Sequence, residues 1–219
     1  MKPYMALMVA MACSSAMAGD ISAVEWKAAQ IKTLNGTANL ASQTQSILAR
    51  TLPNADLVPS TVGEARFADL DRDGGAELIA TVDYSGRGFY NNIVTLQRDH
   101  GRYLVTEMHV NGPSITDLAR HIVDADGDGR LEFVADRYID QYEGAVQVPQ
   151  ETLVYRWDSK QFKENSEAYP GYYRAHVIPR LEAKLKTLAA TPSTSARRPD
   201  DYEAFIIKTE LRRAKQRVK

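Results

Sequence analysis

Hydrophobic positions along this chain follow two periods in turn. Residues 22–52 carry Val24, Ala28, Ile31 and Leu34 at helical spacing, break at Asn35-Gly36, and resume with Leu40, Ile47 and Leu48 until Pro53 ends the run. From Glu64 the period shortens to two, and short runs rich in Val, Ile, Tyr, Phe and Thr are separated by Asp/Gly turns, as antiparallel strands are. The spacing predicts strands near 64–69, 76–84, 89–98 and 102–110, then a second set near 117–124, 131–138, 150–157 and 160–165. After Tyr169-Pro170-Gly171 a helical stripe of Ile178, Leu181, Leu185 and Leu188 runs to a linker over 191–195. A basic helix follows over 200–218, with Ile207, Leu211, Ala214 and Val218 on one face. The predicted fold class is mainly β with flanking helices (α+β): a helical segment over 19–63, two four-stranded antiparallel units over 64–112 and 113–170, and a helical segment over 171–219 with a basic tail.

The two β units repeat one another. The run Phe67-Ala68-Asp69-Leu70-Asp71-Arg72-Asp73-Gly74-Gly75-Ala76-Glu77-Leu78 aligns, 55 residues on, with Ile122-Val123-Asp124-Ala125-Asp126-Gly127-Asp128-Gly129-Arg130-Leu131-Glu132-Phe133. Every acidic position coincides. Three alternating Asp, a Gly at the sixth position and a carboxylate at the ninth gather hard oxygen ligands around a tight turn, as a flexible Ca²⁺ shell requires. The expected ligands are Asp69, Asp71, Asp73 and Glu77 with the carbonyl of Gly75, and Asp124, Asp126, Asp128 and Glu132 with the carbonyl of Arg130. An EF-hand is excluded because the twelfth positions are Ala80 and Ala135 and the following residues read as buried strand, so each loop joins two strands of a hairpin. The bland alternative is a pair of Asp/Gly turns whose carboxylates cap backbone amides. The second loop is the more complete site, since Arg72 stands in the first where Gly127 stands in the second.

These residues resemble the FG-GAP or VCBS repeat of integrin-like propellers and exported bacterial proteins, over about residues 64–166. The resemblance implies blade-like four-stranded sheets with calcium in the hairpin between the first two strands. Two departures stand out: Glu77 and Glu132 occupy a position that is usually Asp, and only two repeats are present where a closed propeller needs at least four.

Composition adds an address and removes several functions. Met1-Lys2-Pro3, the apolar run from Tyr4 to Ala12, and Ala16-Met17-Ala18 form a Sec-type signal over 1–18 with cleavage after Ala18, placing the mature chain in the periplasm or outside the cell. Cleavage removes Cys13, the single cysteine; its lipidation is the less favoured alternative, because Ala10 stands where a lipobox prefers Leu. No transmembrane segment is expected in the mature chain. The net charge of -1 hides an asymmetry, with +7 on residues 174–219 and -8 on the remainder. In an exported protein the basic tail suggests an anionic surface, not nucleic acid. His100, His109, His121 and His176 lack zinc-site spacing, and no phosphate loop or nucleophile elbow is present. The reading these features support is an exported, non-catalytic calcium-binding β-repeat module for protein or glycan interaction. The alternative is a periplasmic hydrolase acting on envelope polymers near the Tyr-rich region 138–173, with Asp83, Asp136, Asp140 and Glu143 as its acid candidates.

Overall fold

The computed structural model describes residues 19–84, 91–139, 148–190 and 199–219, with side chains from 202 onward in the last segment. The expected signal at 1–18 with Cys13, the aromatics Phe89, Tyr90 and Tyr142, the candidates Asp140 and Glu143, and the 191–195 linker lie outside the described residues.

Eight strands form two antiparallel sheets, each in simple sequence order. The first contains β1 (Thr61–Ala68), β2 (Glu77–Asp83), β3 (Asn91–Asp99) and β4 (Arg102–Val110). The second contains β5 (Ile122–Val123), β6 (Glu132–Tyr138), β7 (Gln150–Asp158) and β8 (Gln161–Glu164). Helices α1 (Ile31–Asn35) and α2 (Leu40–Thr51) precede the sheets. After them, α3 (Pro170–Tyr172), a π-helical turn (Tyr173–Val177) and α4 (Ile178–Ala190) run as one helix, and α5 (Pro199–Gln216) follows.

Strand alternation sorts the core into three layers. Leu78, Ala80, Val94 and Leu96 meet Trp26, Leu34, Ile47 and Leu48 of the N-terminal segment. Their neighbours Ile79 and Ile93 point the other way, onto Phe133, Ala135, Leu153 and Tyr155 of the second sheet. Val134 and Val154, on the far face of that sheet, pack under Tyr169, Tyr173, Val177, Leu181, Ile207 and Ala214. The order is therefore helices, sheet, sheet, helices, with each sheet buried on both faces. Tyr155, Trp157, Tyr169 and Tyr173 are buried, so these aromatics serve packing.

The helical ends are attached by more than apolar contact. Asn35 acts as a peptide mimic at the free edge of β1, donating to the Phe67 carbonyl at 2.9 Å and accepting from the Phe67 N–H at 2.7 Å. Two cations of the basic tail pair within the fold. Arg217 lies 3.8, 3.9 and 3.6 Å from Glu151, Glu164 and Glu167, and Lys215 pairs with Glu182 at 2.9 Å. Ile207 and Ala214 are core, so α5 belongs to the body of the fold.

Two four-stranded antiparallel sheets with flanking helices stand as the pattern predicts. The blade-like, propeller-repeat part of that expectation does not. The sheets stack face to face and are not closed into a barrel or propeller, because helices occupy the outer face of each.

Candidate metal centres

The loops between β1 and β2 and between β5 and β6 fold alike because their polar groups repeat. In the first, Asp71 accepts from the Asp73 N–H at 3.2 Å and Asp73 from the Gly75 N–H at 2.6 Å. In the second, Asp126 accepts from the Asp128 N–H at 3.1 Å and Asp128 from the Arg130 N–H at 2.7 Å. Asp124 is committed further, accepting from Gly127 and Gly129 at 2.7 and 3.0 Å. Both loops turn through the left-handed region at matching places: Arg72 (φ 63°) and Gly74 (φ 90°), then Gly127 (φ 79°) and Gly129 (φ 84°). Arg72 holds without glycine a conformation that costs a side-chain-bearing residue about 1 kcal/mol.

The ninth-position glutamates are the buried floor of each turn, at 3% and 0% exposure. Glu77 Oε2 accepts from the Leu70 N–H at 2.9 Å and Oε1 from Gln97 at 3.1 Å. Glu132 Oε2 accepts from the Ala125 N–H at 2.9 Å and Oε1 from the Tyr169 hydroxyl at 3.0 Å. The longer glutamate reaches the amide of the loop's second residue, which gives the Glu-for-Asp departure a physical reason. Burial raises both carboxyls above the usual range, Glu77 to about 7, against the opposing pull of these hydrogen bonds. Asp69 is raised as well, first by burial, with Asp71 and Asp73 adding to it against the lowering pull of the Arg72 and Gly74 backbone amides; its buried Oδ1 makes no hydrogen bond.

Ligand oxygens of Asp69, Asp71 and Glu77 lie within 4.8 Å of one another, as do those of Asp124, Asp126 and Glu132. Each set can in principle coordinate a metal ion. Asp73 and Asp128 fall outside these groups; each caps an amide, and Asp128 Oδ2 also faces Arg156 at 3.6 Å.

The two turns are neighbours, a relationship the sequence did not disclose. Arg72 Nη1 donates to the Asp128 carbonyl at 2.6 Å, and the Leu131 N–H reaches the Leu70 carbonyl at 3.4 Å. Each turn is also clamped by a different end of the chain. Ala28 N–H donates to the Gly74 carbonyl at 2.9 Å and Ala76 N–H to the Trp26 carbonyl at 3.1 Å, whereas Tyr169 clamps the second turn through Glu132. The only hint of the first contact in the sequence is the lone arginine at a glycine position; nothing pointed to Tyr169 or Gln97.

No family model, curated protein or solved structure matches the chain. Together with the open, stacked sheets, this removes the FG-GAP or VCBS assignment and the propeller-repeat interaction module built on it. The hydrolase alternative finds no support either: Asp136 is held by Thr152 at 2.6 Å and by Arg180 at 3.4 Å, and Asp83 is exposed at the end of β2. Among the described residues, no helix is long and apolar enough to cross a membrane.

Proposed function

We propose that each acidic turn holds one calcium ion, and that the ions act as structural fasteners where the two sheets meet. The observation that carries this reading is the buried Asp69 Oδ1, a carboxylate oxygen without a hydrogen bond, set among Asp71 and Glu77. The ligand set is Asp69, Asp71, Asp73, Glu77 and the Gly75 carbonyl in the first turn, and Asp124, Asp126, Asp128, Glu132 and the Arg130 carbonyl in the second. All donors are oxygen and the loops tolerate several distances, which suits calcium better than a small octahedral magnesium ion or a nitrogen- and sulfur-seeking zinc ion.

Folding drives the carboxylates of a turn together, and a cation converts their repulsion into attraction. An ion bound by the folded chain alone, at a hundred times its dissociation constant, stabilises by roughly 2.7 kcal/mol per site. The surroundings rank the first turn above the second, reversing the order read from the sequence. Arg72 carries its charge away to the second turn, where Arg156 also sits, and both oxygens of Asp124 already cap amides, whereas Asp69, drawn to the amides of Arg72 and Gly74, keeps Oδ1 without a hydrogen bond.

The test is thermal unfolding in calcium, magnesium and chelator, with metal analysis of the purified chain. Melting should rise with millimolar calcium, rise less with magnesium and fall with chelator. Asp69→Asn should lose more of the calcium response than Asp124→Asn, while melting higher than the native chain in chelator because one repelling charge is gone. Melting curves identical across calcium and chelator would show the turns to be hydrogen-bonded loops alone.

A further inference from the structure

On the helix-facing side of the second sheet lies a cavity of about 270 Å³. Its floor is strand: Val134, Ala135 and Asp136 of β6, and Thr152 of β7, which pairs with Asp136 across the ladder. Its roof is the continuous C-terminal helix, which presents Tyr172, His176 and Arg180 at intervals of four residues along one side. The π-helical turn lies within this stretch, a local widening that often marks functional positions. Arg120 and His121 close one end.

Several of these side chains are held by one another or by their immediate neighbours. The Val134 carbonyl can only accept, so its 2.6 Å contact requires the proton of His121 on Nδ1, leaving Nε2 as the ring nitrogen open to a ligand. The His121 ring lies stacked on Phe133 at 5.7 Å, and His176 lies 4.9 Å from the Tyr172 ring. Arg180 Nη2 donates to Thr152 Oγ1 at 3.0 Å and to Asp136 at 3.4 Å; Arg120 Nε is held by Asp117 at 2.7 Å.

Hydrogen-bond accounting then sets the ligand class. Asp136 is the one carboxylate lining the cavity, and its Oδ1 already accepts from Thr152 and Arg180. Against it stand Nε and Nη1 of Arg180 and both terminal nitrogens of Arg120, on side chains 46% and 83% exposed and so open to solvent or to an incoming ligand, with the Tyr172 hydroxyl beside them; none of these has a hydrogen-bond acceptor among the described residues. The lining thus holds more donors than acceptors: the terminal pair of Arg120 is a planar fork that matches two oxygens on one atom, while Arg180, its Nη2 engaged, adds charge and single donors at Nε and Nη1.

We propose that this cavity is a binding site for a small oxyanion, the carboxylate or phosphoryl group of a compact organic molecule, gripped by Arg180 and Arg120 with His121, His176 and Tyr172 around it. The volume of about 270 Å³ is at the small end for ligand pockets, which suits a compact molecule. None of the lining residues is a ligand of the acidic turns, so the site is tested apart from the calcium reading.

Proton–nitrogen NMR of the histidine rings in the full chain tests this directly. The probes are methyl phosphate and acetate at fixed pH and ionic strength, both too weak as chelators to strip a cation from the turns. The expected result is a saturable shift of the His121 and His176 ring signals, with His100 and His109 unmoved. Arg180→Gln should weaken binding about tenfold or more, the loss of a charged donor pair, and Arg180→Lys less. Response to methyl phosphate alone assigns a phosphoryl ligand, response to acetate alone a carboxylate, and either supports the site. Shifts that are absent, that move all four histidines alike, or that persist unchanged in a folded Arg180→Gln protein overturn it. If Arg180→Gln fails to fold, His176→Gln on the exposed helix face gives the same comparison.

Discussion

The guanidinium of Arg72 leaves its own acidic turn and donates to the carbonyl of Asp128 in the other, at 2.6 Å. Gly129 makes this possible: a Cβ there would stand 2.5 Å from Arg72 Nη1, and its φ of +84° disfavours any side chain. One cation thus joins two loops that are 56 residues apart in sequence.

Arg72→Ala should act in opposite directions on the two states of the protein. Without calcium it removes a hydrogen bond and a compensating charge, and costs about 1 kcal/mol. With calcium, the second turn should bind more tightly because a repelling cation is gone. Gly129→Ala should be destabilising alone, and less so in the Arg72→Ala background, where the steric conflict has been removed. Calcium titration by calorimetry and a double-mutant cycle of urea melts measure both effects; equal costs of Gly129→Ala in the two backgrounds would contradict the contact.

Glu77 makes stability depend on pH in an unusual direction. Below about pH 4.5 it is protonated whether the chain is folded or not. Between there and about pH 7 the unfolded chain ionises while the folded chain keeps its proton, so stability in chelator should fall as pH rises through this window. The full loss is on the order of 3 kcal/mol, and Glu132 is shifted in the same direction. Calcium favours the carboxylate and should flatten or reverse the slope, and Glu77→Gln should flatten it without calcium. Urea melts at several pH values, with and without the ion, decide the matter.

Tyr169→Phe removes the hydroxyl that donates to Glu132 Oε1 and leaves a fully buried carboxyl short of one partner. The expected cost is about 1.5–3 kcal/mol in chelator, and less in calcium. Amide exchange over α3, the π-helical turn and α4 should speed up, since Tyr169 leads into this helix. Unchanged exchange there would mean that apolar packing alone docks it.

Gly112 admits no side chain. A Cβ would fall 1.9 Å from the Asp136 carbonyl, and the adjacent Asn111 carbonyl already accepts from the Tyr138 N–H at 2.7 Å. Since backbone must move, Gly112→Ala should cost about 3 kcal/mol. A denaturation midpoint within error of the native chain would contradict this approach of the inter-sheet connection to β6.

Much of this architecture was written in local pattern, because period-two alternation and turn chemistry act within a few residues. Asp99-His100-Gly101 reads as a turn, and His100 (φ 48°) and Gly101 (φ 78°) do form the two-residue hairpin between β3 and β4. The acidic loops were legible for the same reason: each is closed by hydrogen bonds between near neighbours. Which loop lies beside which was not legible. Arg72 to Asp128 and Tyr169 to Glu132 span 56 and 37 residues, and no local period encodes such a meeting. The repeat itself misled, since an Asp-Gly-Asp hairpin fixes a turn and its two strands but says nothing about how many sheets follow or what covers them. The Tyr172, His176 and Arg180 stripe was likewise present in the sequence, yet its opposing wall comes from strands brought there only by the tertiary fold.

The layer order also explains why assembly halts at two sheets. Each sheet has one face suited to receiving another sheet, shown by the Ile79 and Ile93 contact with Phe133 and Leu153, and an opposite face that is equally apolar. Leu34, Ile47 and Leu48 cover that face on one side, and Tyr173, Leu181 and Ile207 on the other. The terminal helices thus behave as end-caps of a polymer, much as polar-faced repeats terminate a solenoid. A chain that loses either cap would expose a template for a further sheet from a second molecule, and growth by addition would replace a stack of two.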